Sequence, residues 1–554
     1  MEARKEYDLI VLGTGIAGLS AALAAHEKGL RPLVIEKADK VGGGTTNSYG
    51  LIWVGNNHLA RAAGYEDNRD DIIDYMRFLA GGEAFEDNLI AYVDRSPLVL
   101  KFFESCGIPF HLTPSVADHY FGVAPGAREK GRSLEVDLIS GFDLGEWQHR
   151  VRMSTIQPCY ITAEEQISWG GVNRFSNWDQ DLVRQRREHD MRGKGLGLVC
   201  QFLKALLDRK VPIVTGQTVR NLLVRDGRVT GVVTDKGEIE ALQGVVLATG
   251  GYESNNDLVA SFEGLPGWMS QCPTSNTGDG LALGTEVGGA VHLIRNNMGL
   301  FLGFGIPLKD KAAEPEFHLA GIIELCSPHT MVVNQSGGRF ADEAYFQGMI
   351  PSLRYFNPLT HSHSNLPCFL IFDAHYATKY SFAGRPAGAE MPGWLAQDTT
   401  IPGLAKRLGI DPQGLEETVE RFNTFARSGS DTDFKRGELA WRLAKPDAPL
   451  GVNPSLGEIS QCPFYGIELH PSALGSAGLL TNSSAQVLNQ RREAIAGLYA
   501  TGNTAAHTEF GAGYQAGYTL ASSMTFGYLA VEHMLQTAPM LAQAAKPQQR
   551  ARHR

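Results

Sequence analysis

Three glycines and one glutamate near the start of the chain have the types and spacing that bind a dinucleotide. Gly13, Gly15 and Gly18 fit the pattern G-x-G-x-x-G, and Glu36 ends the next apolar run, "PLVIE". In this pattern the first glycine allows a tight turn, the second lets backbone approach a pyrophosphate, and the third lets helix and strand pack closely. The helix amino terminus then faces the phosphates, while the carboxylate accepts hydrogen bonds from a ribose diol. The sequence therefore predicts a dinucleotide site.

A second glycine-rich run favours FAD over a nicotinamide cofactor. In "EKADKVGGGTTNSYG" we expect Gly43, Gly44, Thr45 and Thr46 to lie along another part of the cofactor. So extended a contact suits a long, permanently held dinucleotide better than one that exchanges. Further along, "GVVLATGGYESN" ends in a glycine pair, as strands do where the chain passes close to a ligand.

These residues need strands and helices to position them. The first motif is typical of a strand, a turn, a helix and a second strand, and the residues before 244 form short alternating β segments with Asp-Gly and Lys-Gly turns. In "IPGLAKRLGIDPQGLEETVERFNTFARSG", apolar residues recur at helical spacing, which places four of them in a core: Leu415, Val419, Phe422 and Phe425. The pattern indicates a mixed α/β protein.

Composition excludes several functions. The net charge of -10 and pI near 5.9 argue against nucleic acid as a partner, because phosphate binding needs a basic surface. The 7 cysteines are scattered without a C-x-x-C pair, so we expect neither disulfides nor a metal site. Without a signal-peptide pattern or a transmembrane run, the expected location is the cytoplasm.

Six motifs, taken together, resemble one flavoprotein family. The G-x-G-x-x-G pattern with its acid, "EKADKVGGGTT", "LATGGY", "NTGDGLALGTEVGG", "MVVNQSGGRFADE" and "GLYATGN" occur in that order along nearly the whole chain. They resemble the family that contains fumarate reductases and 3-ketosteroid dehydrogenases. The resemblance implies an FAD-dependent oxidoreductase acting on CH–CH groups, with FAD held non-covalently, because "GGGTTNSYG" lacks the histidine that succinate dehydrogenases use for attachment.

The resemblance also implies how the chain is divided. A Rossmann-type FAD-binding domain would be split into residues 1–290 and 455–545, around an inserted α+β substrate-binding or cap domain at 291–454, with a disordered tail at 546–554. Around FAD it places, besides the glycines, acid and threonines above, the following residues: Ile16, Ala17, Lys37, Val219, Ala248, Thr249, Gly250, Asp279, Gly502, Asn503, Thr519 and Leu520.

The glycine-rich stretch "GLYATGNTAAHTEFGAGYQAGYTL" would return the chain to the FAD domain. If "GLYATGN" ends a strand beside the flavin, the helix that begins near "YTLASSMTFGYLA" directs its amino terminus at the ring. A reduced flavin carries negative charge there, which a helix amino terminus stabilises. Glycines let the backbone approach and leave its N–H groups free to donate.

Two chemistries dominate the family, and the arginines discriminate between them. Fumarate reductases use an arginine proton donor before the "VN…G.RF.NE" motif, and the position that aligns with it here is Cys326. No arginine lies between Arg295 and Arg339, so a dicarboxylate substrate has no evident bidentate clamp. We therefore favour the ketosteroid, or cyclic ketone, dehydrogenase branch.

That branch uses tyrosines and one backbone amide. The resemblance assigns Tyr120 to an early active-site tyrosine and Tyr345 to the base that removes the α-proton, although the usual spacing falls on Gln347. In "GYQAGYTL", Gly517 is in register with the amide that holds the ketone oxygen, and Tyr514 is displaced by one residue from the second donor. The β-hydride would pass to flavin N5.

The prediction is thus α,β-desaturation of a cyclic ketone such as a 3-ketosteroid or a smaller alicyclic ketone, with a quinone or another carrier accepting the electrons. Two alternatives stay open: reduction of an activated C=C bond, as in fumarate reductases, and a flavin-binding partner protein without turnover. The segment 147–195 has a poor family match and is expected to be a lid over the substrate or an oligomer contact.

Overall fold

The computed structural model describes residues 6–171, 175, 177–296, 299–307, 317–438 and 453–551. Within these ranges, the side chains at 300, 301, 307, 317–320, 322, 323, 346, 347, 473 and 538–551 are left out of the description.

Strands and helices alternate along the described chain. The strands are β1 (Glu6–Leu12), β2 (Pro32–Ile35), β3 (Ile52–Trp53), β4 (Phe110–Leu112), β5 (Ser133–Val136), β6 (Ile139–Ser140), β7 (Met191–Arg192), β8 (Ile213–Val214), β9 (Val219–Arg225), β10 (Arg228–Thr234), β11 (Gly237–Leu247), β12 (Val291–Leu293), β13 (Leu300–Pro307), β14 (Phe317–Ala320), β15 (Thr330–Asn334), β16 (Phe356–Asn357), β17 (Ser362–His363), β18 (Cys368–Asp373), β19 (Ala396–Asp398), β20 (Phe464–Ala473), β21 (Ala477–Leu479), β22 (Gln486–Leu488) and β23 (Ala494–Ala500). The helices are α1 (Ile16–Glu27), α2 (His58–Ala62), α3 (Arg69–Ala80), α4 (Glu86–Ser105), α5 (Ala163–Ser168), α6 (Gln180–Glu188), α7 (Lys194–Asp208), α8 (Asn256–Phe262), α9 (Asp279–Glu286), α10 (Ile322–Cys326), α11 (Ile350–Leu353), α12 (Ala374–Lys379), α13 (Ile401–Leu408), α14 (Pro412–Ser428) and α15 (Tyr518–Ala551). Short 3-10 segments occur at Gly43–Asn47, Gly141–Arg150, Phe346–Met349 and Gly502–Thr504.

The first large sheet has a parallel centre that brings distant parts of the chain together. Its order is β22-β23-β11-β1-β2-β8, and β9 and β10 extend it from β11. Strand β1 pairs in parallel with both β2 and β11, and β11 pairs in parallel with β23. Leu12 lies opposite Leu247, which lies opposite Ala500, so these three strands end at the same edge.

Helices cover this sheet and build the largest core. Helix α1 packs against α7 and α15, and α15 also packs against α4. Leu9, Val11, Leu19 and Leu23 are fully buried in this core, as expected for a parallel strand and its crossover helix, which are covered on both faces.

A second sheet lies in the later half of the chain. Its order is β14-β13-β20-β18-β15, with β19 paired to β20. Helix α14 covers one face and buries four apolar side chains there: Leu415, Val419, Phe422 and Phe425. Their predicted place in the core is confirmed.

The mixed α/β fold class predicted from the sequence is confirmed, while the division at 454/455 stays a prediction. Strand β20 (Phe464–Ala473) pairs with β13 and β18 of the second sheet. We therefore propose that the chain returns to the FAD-binding part after this strand. Helix α15 takes in residues 546–551 of the expected tail, and 552–554 lie outside the described residues. No helix in the described part of the chain is long and apolar enough to cross a membrane.

Candidate active site

A cavity of about 940 Å³ lies where β1, β11 and β23 end and where α1 and α15 begin. Ligands of parallel α/β sheets bind at this edge, because loops after the strands and the amino ends of helices converge there. Its volume is near the upper end of the roughly 300–1,000 Å³ that small-molecule sites occupy. The cavity therefore has room for an extended ligand.

Most residues predicted to bind the cofactor line this cavity. They are Gly13, Gly15, Ile16, Ala17, Glu36, Lys37, Gly43, Gly44, Thr45, Val219, Ala248, Thr249, Gly250, Asp279, Gly502, Asn503, Thr519 and Leu520. Gly18 and Thr46 are outside the lining. A Cβ on Gly18 would lie 2.0 Å from the Gly13 oxygen, and the Thr46 hydroxyl donates to the Gly43 carbonyl at 3.1 Å. Both residues therefore support the conformation of the loops without lining the cavity.

The first glycine turn approaches the neighbouring strand end very closely. Gly13 has a φ of 103°, and a Cβ there would lie 2.2 Å from the Ala248 oxygen, so only glycine fits. The Ile16 N–H at the start of α1 donates to the Thr45 hydroxyl at 3.0 Å. The two glycine-rich loops thus meet at the amino terminus of α1, which is a site for phosphates.

The acid that follows β2 is held in place beside the first loop. Glu36 Oε2 accepts from the Thr14 N–H at 3.1 Å and from its hydroxyl at 2.6 Å. Lys37 Nζ lies 2.8 Å from Asp279 Oδ2. Because a buried carboxylate can accept several hydrogen bonds, Glu36 keeps the capacity to bind a ribose diol.

The segment before α15 also lines the cavity. Gly517 has a φ of 88°, and a Cβ there would lie 2.9 Å from backbone atoms of Leu51, Ile52 and Trp53. The Gly517 carbonyl accepts from the Trp53 N–H. Its own N–H has no hydrogen-bond acceptor among the described residues, and Gly517 lines the cavity. This amide is therefore available to a ligand oxygen.

The structure brings Tyr120 and Tyr345 together from distant parts of the chain. Their ring centroids are 5.5 Å apart in an edge-to-face contact, and the two hydroxyls interact electrostatically. Burial raises the pKa of both, and the neighbouring Tyr120 raises that of Tyr345 further. Neither ring belongs to the cavity lining. The side chain of Gln347 lies outside the described residues.

Tyr514 does line the cavity, and it contacts a histidine that our sequence analysis missed. Its ring centroid lies 5.3 Å from that of His119, which also lines the cavity. Burial raises the pKa of Tyr514 and lowers the pKa of His119 to about 3. Both groups are therefore neutral at physiological pH. The only sequence signal for His119 is that it precedes Tyr120.

A buried ion-pair network anchors the loop that carries these residues. Asp118 accepts from Trp53 Nε1 at 2.7 Å and from Arg132 at 2.8 Å. Arg132 also binds Asp67 at 2.7 Å. Because breaking one of these pairs would leave a buried charge uncompensated, the network fixes the backbone of His119 and Tyr120.

The arginines nearest the fumarate-reductase motif are already paired. Arg339 binds Glu343 and Asp431, and Arg436 binds Glu343 at 2.9 Å. Cys326 is buried, which raises its pKa to about 12. A substrate carboxylate would have to displace one of these buried ion pairs to reach a guanidinium, which disfavours dicarboxylates.

Among the described residues, one cluster has the composition of a metal site. One nitrogen each from His329 and His375 and an Asp373 oxygen lie within 4.8 Å of one another. However, Asp373 already accepts from five donors: the N–H groups of His375, Tyr376, Ser460 and Gln461, and His375 Nδ1. We therefore interpret Asp373 as a helix cap for α12. Its carboxylate also holds residues 460 and 461 by accepting hydrogen bonds from their N–H groups.

The segment 147–195 reaches the cavity. Ile156, Gln157 and Ile167 line it, and Ile167 packs with Tyr49, Leu51 and Val116. Its position is compatible with the predicted lid, which stays a prediction.

Known proteins resemble this chain over nearly its whole length. A family model described as an FAD binding domain matches residues 8–523. A 4-oxocyclohexanecarboxylate 2-dehydrogenase from Sinomonas cyclohexanicum is 34% identical, over 95% of this chain and 92% of its own. A 3-oxosteroid 1-dehydrogenase from Mycobacterium tuberculosis is 31% identical, over 96% of this chain and 99% of its own. The crystal structure of 3-ketosteroid delta1-dehydrogenase from Sterolibacterium denitrificans, in complex with 1,4-androstadiene-3,17-dione, gives a TM-score of 0.86 at 28% identity, over 96% of this chain and 100% of its own.

Proposed function

Because the chain belongs to the FAD-binding flavoprotein family whose model matches residues 8–523, we propose that it is an FAD-dependent dehydrogenase of cyclic ketones. The proposed reaction introduces a C=C bond next to the carbonyl, between its α and β carbons. The substrate is an alicyclic ketone or a 3-ketosteroid, as the names of its relatives suggest.

One observation carries this proposal. A single cavity joins the dinucleotide loops at Gly13 and Gly43 to Tyr514 and Gly517. A ligand that is held by the loops and fills the cavity therefore reaches these hydrogen-bond donors. This is the arrangement that dehydrogenation of a ketone needs, because the carbonyl must be polarised next to the group that accepts the hydride.

The residues of the cavity fit FAD. Gly13 and Gly15 bring bare backbone to the amino terminus of α1, where a pyrophosphate binds, and Glu36 lies where a ribose follows. Gly502, Asn503 and residues at the amino terminus of α15 line the same cavity. When bound there, FAD supplies the hydride acceptor.

The ketone oxygen is the group that Gly517 and Tyr514 bind in this proposal. The Gly517 N–H and the Tyr514 hydroxyl donate to that oxygen, and both hydrogen bonds strengthen as it gains negative charge in the transition state. Helix α15, which begins at Tyr518, adds the partial positive charge of its amino terminus to the same region. These groups acidify the α carbon without any arginine.

Tyr345 is the proposed proton acceptor, with Tyr120 as its hydrogen-bond partner. Removing the α-proton requires Tyr345 to ionise, and a hydrogen bond from the Tyr120 hydroxyl would stabilise the resulting phenolate. Because neither ring lines the cavity, this role also requires the pair to turn toward the substrate.

The test is anaerobic reduction of the FAD-loaded protein by a panel of saturated compounds, followed at the flavin absorbance. The panel contains 4-oxocyclohexanecarboxylate, 4-alkylcyclohexanones, saturated 3-ketosteroids and succinate. Bleaching by a ketone, but not by succinate, supports the proposal. If no ketone bleaches the flavin while enoates reoxidise the reduced protein, the proposal is wrong and the protein is a C=C reductase.

A further inference from the structure

His119 joins the loop after β4 to the segment that precedes α15. Its backbone N–H donates to Gln515 Oε1 at 2.9 Å, and its Nε2 accepts from the Ala516 N–H at 3.4 Å. The backbone and the side chain of this one residue therefore contact two successive residues of the other segment. We call this arrangement the His119 clamp.

The clamp is anchored on both sides. The buried side chain of Gln515 also accepts from the Tyr75 hydroxyl at 2.6 Å, so its oxygen receives two donors at once. On the other side, Asp118 is bound by Trp53 and Arg132. Because each side has a fixed support, the clamp holds the two loops in one relative position.

The clamp lies directly beside the groups that bind the ketone in the proposed function. Ala516 precedes Gly517, and the His119 ring contacts the Tyr514 ring with centroids 5.3 Å apart. Fixing the Ala516 N–H limits rotation of the backbone before Gly517. Packing on Tyr514 limits where its hydroxyl can point. Both proposed donors to the substrate oxygen thus depend on the same imidazole.

The imidazole must be neutral to do this. A protonated ring carries N–H on both nitrogens and cannot accept from Ala516. Burial lowers the pKa of His119 to about 3, so the accepting form is present throughout the physiological range. With Nε2 accepting, the proton of the neutral ring is on Nδ1.

We propose that His119 is a positioning residue of the ketone site, which fixes the Gly517 amide and the Tyr514 hydroxyl so that they donate to one oxygen. This inference rests on the proposed function. It identifies what gives the site its geometry, in a chain whose Tyr514 is displaced from the usual family position.

Three variants test the clamp. His119→Phe keeps a ring against Tyr514 but removes the acceptor, and His119→Gln places an amide oxygen near the position of Nε2. We expect H119F to lower kcat roughly 10- to 100-fold with KM changed less than about 3-fold, because small displacements of oriented groups cost rate more than binding. H119Q should recover most of that loss. His361→Asn, at an exposed histidine outside both the cavity lining and the segment 147–195, is the matched control and should leave kcat unchanged.

A second measurement reports the site without turnover. 4-Fluorophenol, a stand-in for the enolate-like oxygen, is bound to the oxidised protein, and its ionisation is followed by 19F NMR. Donors aimed at the oxygen lower the pKa of the bound phenol, and H119F should raise it again by about one unit while H119Q raises it less. A merely structural effect on folding would not move this value, and FAD content and circular dichroism verify that each variant is folded.

The clamp is contradicted if H119F keeps kcat within about 3-fold of the wild type. It is also contradicted if H119Q loses as much activity as H119F and gives the bound phenol the same pKa as H119F does. If H119F does not fold, the comparison of H119Q with the wild type decides. If no ketone reduces the flavin of the wild-type protein, the proposed function itself is wrong, so the two failures can be told apart.

Discussion

At the scale of single residues, Gly517 is the position where backbone conformation and chemistry coincide. Its φ of 88° and the backbone atoms 2.9 Å from where a Cβ would lie leave no space for a side chain. Holding another residue in such a conformation costs about 1–3 kcal/mol, apart from the clash. A substitution here should therefore displace the amide from the ketone oxygen.

We predict that Gly517→Ala lowers kcat for ketone-dependent flavin reduction about 10²- to 10³-fold, comparable to the loss of one oxyanion donor. Stopped-flow absorbance measures this rate. Gly384→Ala is the matched control, because Gly384 has a similar φ of 74° but nothing within 4 Å of a Cβ. Equal rates for G517A and the wild type would remove this amide from the proposed site.

The tyrosine pair gives the reaction a distinctive pH dependence. Burial and Tyr120 raise the pKa of Tyr345 above its usual value, which is about 10. Since the ionised form is the base, its fraction increases with pH and does not level off below that value. We predict that the rate of flavin reduction rises from pH 7 to about pH 10 without a plateau.

Tyr345→Phe should abolish this rise and lower the rate about 10²- to 10⁴-fold, the usual contribution of a general base. Tyr120→Phe should lower it less, because Tyr120 only supports the phenolate. Tyr355→Phe, at a ring that is 57% exposed, is the control. A flat pH profile in the wild type, or an undiminished rate in Y345F, would assign the base to another group.

At the scale of elements, α1 must pack closely on β1 to present its amino terminus to the cofactor. A Cβ on Gly18 would lie 2.0 Å from the Gly13 oxygen, so the helix and the loop have to separate if a side chain is added. We predict that Gly18→Ala lowers both the FAD content after purification and the melting temperature. The change in stability should be about 1–3 kcal/mol, as for other overpacked sites.

Gly393→Ala is the control for this prediction, because nothing lies within 4 Å of a Cβ there. Flavin absorbance per protein and calorimetry measure the two effects. Full FAD content and an unchanged melting temperature in G18A would show that α1 and β1 tolerate a wider separation.

The elements also show which features could be predicted from the sequence. The glycine-rich loops can be predicted because the residues that define each loop lie within one short segment. In the first loop these residues are Gly13, Gly15 and Gly18. For β20, no local pattern in Phe464–Ala473 tells which sheet the strand joins. The Tyr120–Tyr345 and His119–Tyr514 contacts join segments that are far apart in sequence, and no periodicity within either segment indicates them. Only the family resemblance suggested these tyrosines, and it gave no sign of His119.

At the scale of the whole molecule, the cofactor site connects both ends of the chain. Its lining extends from Leu12 to Ser523, and family membership, inferred from motifs over the same range, is confirmed by the match to residues 8–523. FAD bound in this cavity would therefore contact segments of the first sheet that are far apart in sequence. Its removal should loosen the whole FAD-binding part rather than one loop.

We predict that the apoprotein melts at a lower temperature than the holoprotein, and that added FAD restores the difference in a concentration-dependent way. Binding to the folded state alone adds about 2.7 kcal/mol at a ligand concentration 100 times Kd. FMN, which lacks the adenosine part that Glu36 would hold, is the control and should restore less. Equal stabilisation by FMN would argue against Glu36, at the end of β2, as a residue that binds the adenosine part of FAD.

The most direct test of ketone desaturation by this protein is a single turnover with product analysis. The oxidised holoprotein is mixed anaerobically with a slight excess of 4-oxocyclohexanecarboxylate or a saturated 3-ketosteroid, and the organic products are identified by mass spectrometry and NMR. We predict one equivalent of ketone that has lost two hydrogens, with a new C=C bond beside the carbonyl, for each flavin reduced. A reduced flavin without an enone product, or an oxidised flavin with every cyclic ketone, would contradict it.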